Sequence, residues 1–371
     1  MSFLETRTAA ALVLADGTVF SGEAIGAIAD QPLSIATGEV VFNTSLAGYQ
    51  EIITDPSYAG QVIAFTYPHI GNYGISARDD ESLRPFCRGI IVRYLATLQR
   101  IWRETGDLEE FLVSHGVGGM TGVDTRRLTR HIREAGAMSC AFGSAPIEEL
   151  LAAARREVGT TGMNLVDEVT TDVPYVVEGG SRRVVVYDFG VKRTMLRCLS
   201  ELATIEIVPA NTPAAEVLAR NPDGVLLSNG PGDPAALPHL VREITTLLDA
   251  VPIFGICLGH QLLATALGAT TFKLPFGHHG ANHPVLRLEN GIVEVTAQNH
   301  GYAVSEESLH DAVVTHRNLN DGVIEGISSE EIAAFSVQYH PEAGPGPHDS
   351  RYLFAEFARM MDRASAQARN R

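Results

Sequence analysis

The heptapeptide Gly255-Ile-Cys-Leu-Gly-His-Gln261 is the feature that most narrows what this chain can fold into. The apolar run at residues 251–256 predicts a buried strand, and the segment after Cys257 has the pattern of a helix. Gly255 and Gly259 flank the cysteine as in nucleophile elbows, because a tight strand-to-helix turn leaves no room for side chains there. A free cysteine by itself is more often a small buried hydrophobic residue. With this glycine spacing, the segment instead predicts a nucleophile that faces outward at a sheet edge.

The second half of the chain alternates short apolar runs with helix-like segments. This alternation predicts right-handed βαβ units and an α/β fold whose mostly parallel sheet is flanked by helices. Ligand sites in such sheets lie beyond the carboxyl ends of the strands, where Cys257 and the loop Ser228-Asn-Gly-Pro-Gly-Asp-Pro234 fall. The predicted strands are residues 183–187, 205–208, 224–227 and 253–256, and the predicted helices are residues 192–202, 213–220, 237–249 and 350–364.

The first half consists of short β-like runs separated by turn signals such as Asp16-Gly17. It predicts a smaller N-terminal domain of mixed β and α structure. Asp124 is expected to cap a basic amphipathic helix whose arginines form a solvated or partner-facing side. Gly179-Gly180-Ser181 is the expected linker, which gives domains 1–178 and 183–371. The predicted strands here are residues 11–14, 18–20, 39–42 and 61–65, and the predicted helices are residues 95–113 and 125–134.

Composition and charge exclude several classes of function. The net charge of −16 argues against a nucleic-acid surface, which needs basic residues to neutralise phosphates. No signal-peptide pattern or apolar run of about 18 residues is present, so we expect a soluble, cytoplasmic protein that binds no membrane. No P-loop is present either, so any ATP would be bound elsewhere. The cysteines lack C-x-x-C spacing, which indicates neither a zinc site nor a disulfide framework. They are Cys87, Cys140, Cys198 and Cys257.

A thiol nucleophile needs a base that shares its proton and a group that orients the base. Ser336-Val-Gln-Tyr-His-Pro-Glu342 supplies both at the end of an apolar, strand-like run. Pro341 favours an extended backbone at His340, and residues two apart in an extended chain project to the same side. Glu342 can then fix the imidazole tautomer and stabilise the imidazolium. Alone this would be an ordinary surface pair, but with the elbow it predicts a triad of Cys257, His340 and Glu342.

Other histidines compete for the role of base. His260 follows Cys257 by three residues, and a helix would point it away from a nucleophile at the helix tip, so we expect it to be structural. His300, in the turn-like Gln298-Asn-His-Gly-Tyr302, stays open as a rival base. Three histidines cluster in sequence: His278, His279 and His283. They predict no metal site, because no cysteine or carboxylate stands at ligand spacing from them.

An anionic tetrahedral intermediate needs backbone N–H donors aimed at its oxygen. The amide of Leu258, directly after the nucleophile, is one candidate. The Gly230-Pro-Gly232 loop offers another, because the absence of Cβ atoms lets a substrate approach the backbone closely. As an isolated string this loop would be only a turn, but beside a nucleophile elbow it becomes a candidate oxyanion partner.

Three motifs in this order resemble those of class I glutamine amidotransferases with a Cys-His-Glu triad: the 230–233 loop, the Cys257 elbow and His340-Pro-Glu342. That similarity covers about residue 183 to the C-terminus. Further segments in the first half resemble the small-subunit family of carbamoyl-phosphate synthases, so the resemblance spans nearly the whole chain. These segments are Glu39-Val-Val-Phe-Asn-Thr-Ser-Leu-Ala-Gly-Tyr-Gln-Glu-Ile-Ile-Thr-Asp-Pro-Ser-Tyr58, Tyr67-Pro-His-Ile-Gly-Asn72 and Gly122-Val-Asp-Thr-Arg126.

The resemblance implies that glutamine is hydrolysed to glutamate and ammonia through a thioester, and that the ammonia passes through a tunnel to a separate large subunit. That subunit would use ATP, Mg and bicarbonate to make carbamoyl phosphate for arginine and pyrimidine biosynthesis, and no cofactor is expected on this chain. The N-terminal domain would contact the large subunit and contribute to the glutamine site. Position 302 can be phenylalanine in the family, so a main-chain contact there is compatible with tyrosine. The glutamine-binding positions carried over are Ser57, Gly230, Gly232, Leu258, Gln261, Asn299, Gly301 and Tyr302.

Three other functions remain as alternatives. A glutaminase that feeds another synthase, such as anthranilate or guanylate synthesis, would share the C-terminal motifs but lack this N-terminal module. A cysteine hydrolase without a partner would turn over free glutamine quickly and without coupling. A binding subunit with a vestigial site would be expected to lack a triad member, and none is missing here. Co-purification of a large ATP-using subunit would separate these functions.

Overall fold

The computed structural model describes residues 7–96 and 106–369. The chain divides into two compact units between Thr161 and Gly162, whereas the sequence placed the domain limits at 178 and 183. Within the two described ranges, no helix combines the length and the apolar composition that crossing a membrane requires.

The first unit contains a closed β-barrel with short helices. Its strands are β1 (Ala9–Leu14), β2 (Val19–Gly26), β3 (Ala36–Asn43), β4 (Gln61–Phe65), β5 (His69–Ile70), β6 (Gly89–Ile91), β7 (Tyr94–Leu95), β8 (Gly118–Thr121) and β9 (Met138–Gly143). Its helices are α1 (Tyr49–Thr54), α2 (Leu108–Ser114), α3 (Thr125–Ala135) and α4 (Ile147–Arg156). The barrel runs β1-β2-β8-β6-β4-β3-β9, and β5 pairs with β7 separately. Closure of the barrel leaves its strands without an exposed edge.

Most elements predicted in the first half are present. The hairpin of β1 and β2 pairs Leu12 with Phe20 across a turn at Asp16-Gly17, and the Asp124 side chain caps α3 by accepting the Arg127 N–H. The predicted helix 95–113 is wrong at its start, because Leu95 ends a strand that pairs with β5, and its end corresponds to α2. Residues 97–105 of that prediction lie outside the described residues.

The second unit contains a mixed sheet with helices on both faces. Its strands are β10 (Tyr175–Asp188), β11 (Ala203–Pro209), β12 (Gly224–Leu227), β13 (Ile253–Ile256), β14 (Thr271–Arg287), β15 (Val293–Val304), β16 (Val313–Asn318), β17 (Ile324–Ser329) and β18 (Ala334–Val337). Its helices are α5 (Arg193–Ser200), α6 (Ala214–Ala219), α7 (Pro238–Leu247), α8 (Leu258–Ala266) and α9 (Tyr352–Arg369). The strand order is β11-β10-β12-β13-β18-β17-β16-β14-β15.

The sheet is parallel from β11 to β18 and antiparallel beyond, which confirms the predicted α/β class. The predicted linker is wrong, because Gly179-Gly180-Ser181 lies inside β10. There the backbone of the neighbouring connection leaves no room for side chains: a Cβ on Gly179 would lie 2.2 Å from the Ser200 carbonyl oxygen, and one on Gly180 would lie 2.4 Å from the Leu202 carbonyl carbon. These glycines serve close packing rather than chain flexibility.

Both faces of the parallel part of the sheet are covered by apolar side chains. Val225, Leu227 and Ile253 pack in one core with residues of α7 and α8, whereas Leu226 and Phe254 pack in the other with residues of α5 and α9. Burial on both faces explains why these strands are continuous apolar runs rather than alternating ones. The two cores fix the positions of the strand ends.

We expect Gly259→Ala to destabilise the second unit by about 1–3 kcal/mol, because overpacking forces the backbone to shift. A Cβ at this position would lie 2.1 Å from the carbonyl oxygen of Leu227. Chemical unfolding of the full chain measures the change. Gly301→Ala is the matched control, since apart from its chain neighbours no described atom lies within 4 Å of its Cβ position. Equal unfolding midpoints for the two variants would contradict this packing.

Candidate active site

The turn between β13 and α8 holds Cys257 in a strained backbone conformation. The strand ends at Ile256 and the helix begins at Leu258, as the sequence predicted, and Cys257 between them has φ 56° and ψ −105°. Such a conformation costs a non-glycine residue about 1–3 kcal/mol and is found mainly at functional sites. The sulfur does not face outward as predicted, because Cys257 is only 2% exposed and its Sγ lies 3.6 Å from the main-chain oxygen of Asn299.

His340 reaches the same sheet edge from the neighbouring strand. β13 and β18 are parallel and pair Ile256 with Val337, so the chain leaves both strands at their common carboxyl edge. The His340 N–H donates to the Ala297 carbonyl at 2.9 Å, which ties the histidine backbone to β15. The imidazole Nδ1 lies 2.7 Å from Oε1 of Glu342, and both side chains are buried.

The surroundings of His340 favour the imidazolium. Burial lowers its pKa, but the charge of Glu342 and hydrogen bonding to Cys257 and Glu342 outweigh burial and raise the pKa to about 10. Nε2, the nitrogen turned away from Glu342, has the Cys257 thiol as its interacting neighbour but forms no hydrogen bond of full geometry with a described group. The ring is therefore held and charged by Glu342, while Nε2 is left available for a reacting atom.

Lys192 is a member of this arrangement that the sequence reasoning missed. Its Nζ lies 3.1 Å from Oε1 of Glu342 and donates to the Ala343 carbonyl at 2.5 Å, and its side chain is 3% exposed. Burial raises the pKa of Glu342, but Lys192 and then His340 lower it to about 2. The one available signal was its position just after the carboxyl end of β10, at the same edge as Cys257.

The rival histidines make other contacts. His260 is fully buried, with Nδ1 2.8 Å from the Ser336 hydroxyl, and burial lowers its pKa to about 3, which fits the predicted structural role. His300 Nδ1 lies 2.8 Å from the main-chain oxygen of Tyr302, and its Nε2 lies 3.0 Å from Oε1 of Gln298. Neither ring hydrogen bonds to Cys257, so His340 is the best-placed base.

Several predicted glutamine-binding residues converge on the elbow. Gln261, one turn into α8, donates to the main-chain oxygen of Tyr302 at 2.9 Å. Asn299 accepts from Cys257, as described, and its side-chain oxygen lies 2.8 Å from Nδ1 of His279. A Cβ on Gly230 would lie 2.9 Å from Leu258, so the 230–233 loop packs against the start of α8.

The remaining predicted positions differ in how closely they are packed. Gly232 lies in the same loop with φ +93°, and a Cβ there would lie 2.8 Å from the Met163 main-chain oxygen. Gly301 lies between Asn299 and Tyr302, and apart from its chain neighbours no described atom lies within 4 Å of its Cβ position. Ser57 is buried in a 3₁₀ turn of the first unit, where its N–H is accepted by Asp55. Its place in the glutamine site stays a prediction.

We expect Lys192→Met to destabilise the chain by about 3–5 kcal/mol, because it leaves the buried Glu342 carboxylate without its cation. The lowered pKa of Glu342 stabilises the fold above its ordinary value of 4.5, and this stabilisation is lost as the pH falls toward 2. In the variant the pKa rises, so acid unfolding should begin at a higher pH. Urea unfolding between pH 3 and pH 7 measures both effects.

Arg182→Met is the control for this experiment. It removes an ion pair with Asp362 that is largely solvated, and such pairs contribute about 0–1 kcal/mol. If both variants had the same urea midpoint and lost stability at the same acidic pH, Lys192 would not be the counter-ion of Glu342.

Comparison with protein families assigns both halves of the chain. Residues 12–142 match the family model described as carbamoyl-phosphate synthase small chain, CPSase domain. Residues 185–360 match the model described as glutamine amidotransferase class-I. The two matches fall within the first and second compact units respectively.

Curated relatives match along almost their whole length. The chain is 50% identical over 373 residues to the carbamoyl phosphate synthase small chain of Syntrophotalea carbinolica, with 95% of this chain and 98% of the relative covered. It is 48% identical over 377 residues to that of a Synechococcus species, with 96% and 95% covered. The chain therefore belongs to the carbamoyl-phosphate synthase small chain family and carries a class I glutamine amidotransferase domain.

Proposed function

We propose that this chain hydrolyses glutamine through Cys257, His340 and Glu342, and delivers the ammonia to a large subunit that makes carbamoyl phosphate for arginine and pyrimidine biosynthesis. The observation that carries the proposal is the buried imidazole held by Glu342 at the sheet edge where the strained Cys257 sits. ATP, Mg and bicarbonate would be handled by the large subunit. Family membership supports that partner.

In the first step the sulfur of Cys257 attacks the side-chain amide carbon of glutamine as the thiolate. The imidazolium of His340 gives its proton to the amide nitrogen, the carbon–nitrogen bond breaks, and ammonia leaves. A glutamyl thioester and a neutral imidazole remain. The raised pKa of His340 supports an imidazolium at the start of this step.

The negative oxygen of the tetrahedral intermediate needs backbone donors. Leu258 is the first residue of α8, and an N–H in the first turn of a helix has no partner within the helix. That N–H points to the oxyanion role, and the Gly230 loop that packs against Leu258 is proposed to supply the second donor.

The second step hydrolyses the thioester. Neutral His340 takes a proton from water, the hydroxide adds to the carbonyl carbon, and the intermediate collapses with loss of the Cys257 thiolate. Glutamate is released, its carboxyl proton passes to solvent, and His340 is an imidazolium again. Glu342, kept ionised by Lys192, stabilises that imidazolium in both steps.

The substrate is proposed to lie between α8 and the 299–302 segment. Gln261 already bonds to the main-chain oxygen of Tyr302, which joins the helix to that segment. Backbone groups there can recognise the α-amino and α-carboxylate ends of glutamine, a role that a tyrosine or a phenylalanine at 302 fits equally. The proposed glutamine-binding residues remain Ser57, Gly230, Gly232, Leu258, Gln261, Asn299, Gly301 and Tyr302.

We expect Cys257→Ser to abolish glutamine-dependent carbamoyl phosphate synthesis in the assembled complex while ammonia-dependent synthesis persists, because only the nucleophile is lost. Coupled assays with each nitrogen source measure the two rates. Cys198→Ser, at a partly buried cysteine of α5, is the control and should leave both rates unchanged. Survival of glutamine-dependent synthesis in Cys257→Ser would refute the assignment. Fast glutamine hydrolysis uncoupled from any large subunit would favour a free-standing hydrolase.

We expect Glu342→Gln to slow acylation of Cys257 by about 10²- to 10⁴-fold, because the pKa of His340 falls when its carboxylate partner is removed. The rate of covalent labelling by a glutamine-mimicking electrophile measures acylation without the later steps. Glu356→Gln, at a half-buried residue of α9 that pairs with Arg287, is the control. Labelling at another residue, or an unchanged rate in Glu342→Gln, would contradict the mechanism.

A further inference from the structure

A second cluster of buried ionisable side chains lies where β14, β15 and β17 approach one another. His278, His300 and Glu325 come from these three strands, and one donor atom from each lies within 4.8 Å of the other two. Nδ1 of His278 is 3.5 Å from Oε1 of Glu325, and Nε2 of His300 is 4.0 Å from the same oxygen. The triad does not use these side chains.

The outward-facing nitrogens of both imidazoles meet acceptors. Nε2 of His278 lies 2.9 Å from the Asp321 carboxylate, and Nδ1 of His300 lies 2.8 Å from the Tyr302 main-chain oxygen. In the neutral tautomers that donate to these acceptors, the opposite nitrogen of each ring has its lone pair on the side of Glu325, where Nδ2 of Asn318 also lies 3.4 Å from Nδ1 of His278. Carboxylate or carbonyl partners of this kind are the usual outer shell of metal-bound histidines.

One imidazole contact and one carboxylate oxygen in the cluster lack a matching proton. Nε2 of His300 faces Oε1 of Gln298 at 3.0 Å, yet a neutral imidazole has one N–H and cannot donate to both Tyr302 and Gln298. The Gln298 amide is oriented by its Nε2, which donates to Thr296. Oε2 of Glu325 is buried and has no hydrogen-bond partner among the described groups. A buried carboxylate oxygen without a partner is costly, and a cation would satisfy it.

We propose that Nδ1 of His278, Nε2 of His300 and the carboxylate of Glu325 bind a divalent cation of the zinc type, with Oε1 of Gln298 as a further ligand. Mixed imidazole and carboxylate donors suit zinc and its neighbours better than magnesium or calcium. Donors of a tetrahedral zinc ion lie roughly 3.4 Å apart, given bonds of about 2.0–2.1 Å, so binding would draw the present donors closer together.

The cation would have a structural role. Its ligands would join β14, β15 and β17 next to Asn299, which precedes His300 in β15. The main-chain oxygen of Asn299 accepts from Cys257. The sequence predicted no metal site at His278, His279 and His283, because no carboxylate lies near them in sequence. The fold supplies that carboxylate from Glu325, 47 positions beyond His278 (325 − 278).

The competing arrangement places a proton where the cation would be. Burial lowers the pKa of His278, but hydrogen bonds to Asp321 and Glu325 outweigh burial and raise the pKa to about 9. An imidazolium between the two carboxylates, with Asn318 donating to Glu325 at 2.8 Å, would hold the strands together without metal. The two arrangements differ in metal content, which can be measured directly.

The test is elemental analysis of the full-length chain, purified without an affinity tag or chelator. We expect about one zinc, or one ion of a neighbouring first-row metal, per chain. Chelation should lower Tm, and zinc at 100 times its Kd should restore it by roughly 5 °C or more. Glu325→Gln should lose both the metal and the response. His316→Asn, at a buried histidine of β16 outside the cluster, should keep them.

The active site needs its own control, because Cys257 and His340 are also metal-binding types of side chain. The Cys257→Ala variant should retain the full metal content if the ion sits at Glu325. Metal lost in Cys257→Ala but kept in Glu325→Gln would overturn the proposal, as would a wild-type chain that neither contains metal nor changes Tm when zinc is added. The wild-type chelation and zinc readdition decide the question even if Glu325→Gln fails to fold.

Discussion

The parallel pairing of β13 with β18 is the constraint on which the site depends. Cys257 and His340 are 83 positions apart in sequence (340 − 257), and the proposed mechanism needs both side chains at one place. The register that sets Ile256 against Val337 places both residues just past the same sheet edge. Apolar cores on both faces of the sheet hold this register, because a slip would displace every buried side chain of the two strands.

The charges at the site are arranged in a buried chain from Lys192 through Glu342 to His340. Each group compensates the desolvation of the next, since burial alone would neutralise the carboxylate and the imidazole. The lysine and the histidine contact the same carboxylate oxygen, so the orientation of Glu342 is fixed from two sides. The arrangement favours one protonation state of His340 rather than a mixture.

The sequence allowed prediction of what depends on neighbours along the chain. The elbow at Cys257 and the His340–Glu342 pair are local patterns, and the alternation of strands and helices fixed the sheet class. Lys192 was missed because its partner lies 150 positions away (342 − 192), and no local pattern reveals such a contact. Gly179-Gly180 was assigned to a linker because glycine favours both flexible and tightly packed backbone, and only the packing against residues 200–203 separates the two.

The hydrogen bond between the His340 N–H and the Ala297 carbonyl joins the proposed general base to the strand that also carries Asn299. A shift of β15 would therefore move the acceptor beside the sulfur and the backbone of the imidazole together. The surroundings of the Cys257 sulfur and the position of the His340 ring would therefore change together. A displacement of this strand would alter the surroundings of the Cys257 sulfur and of His340 without any change at the cysteine itself.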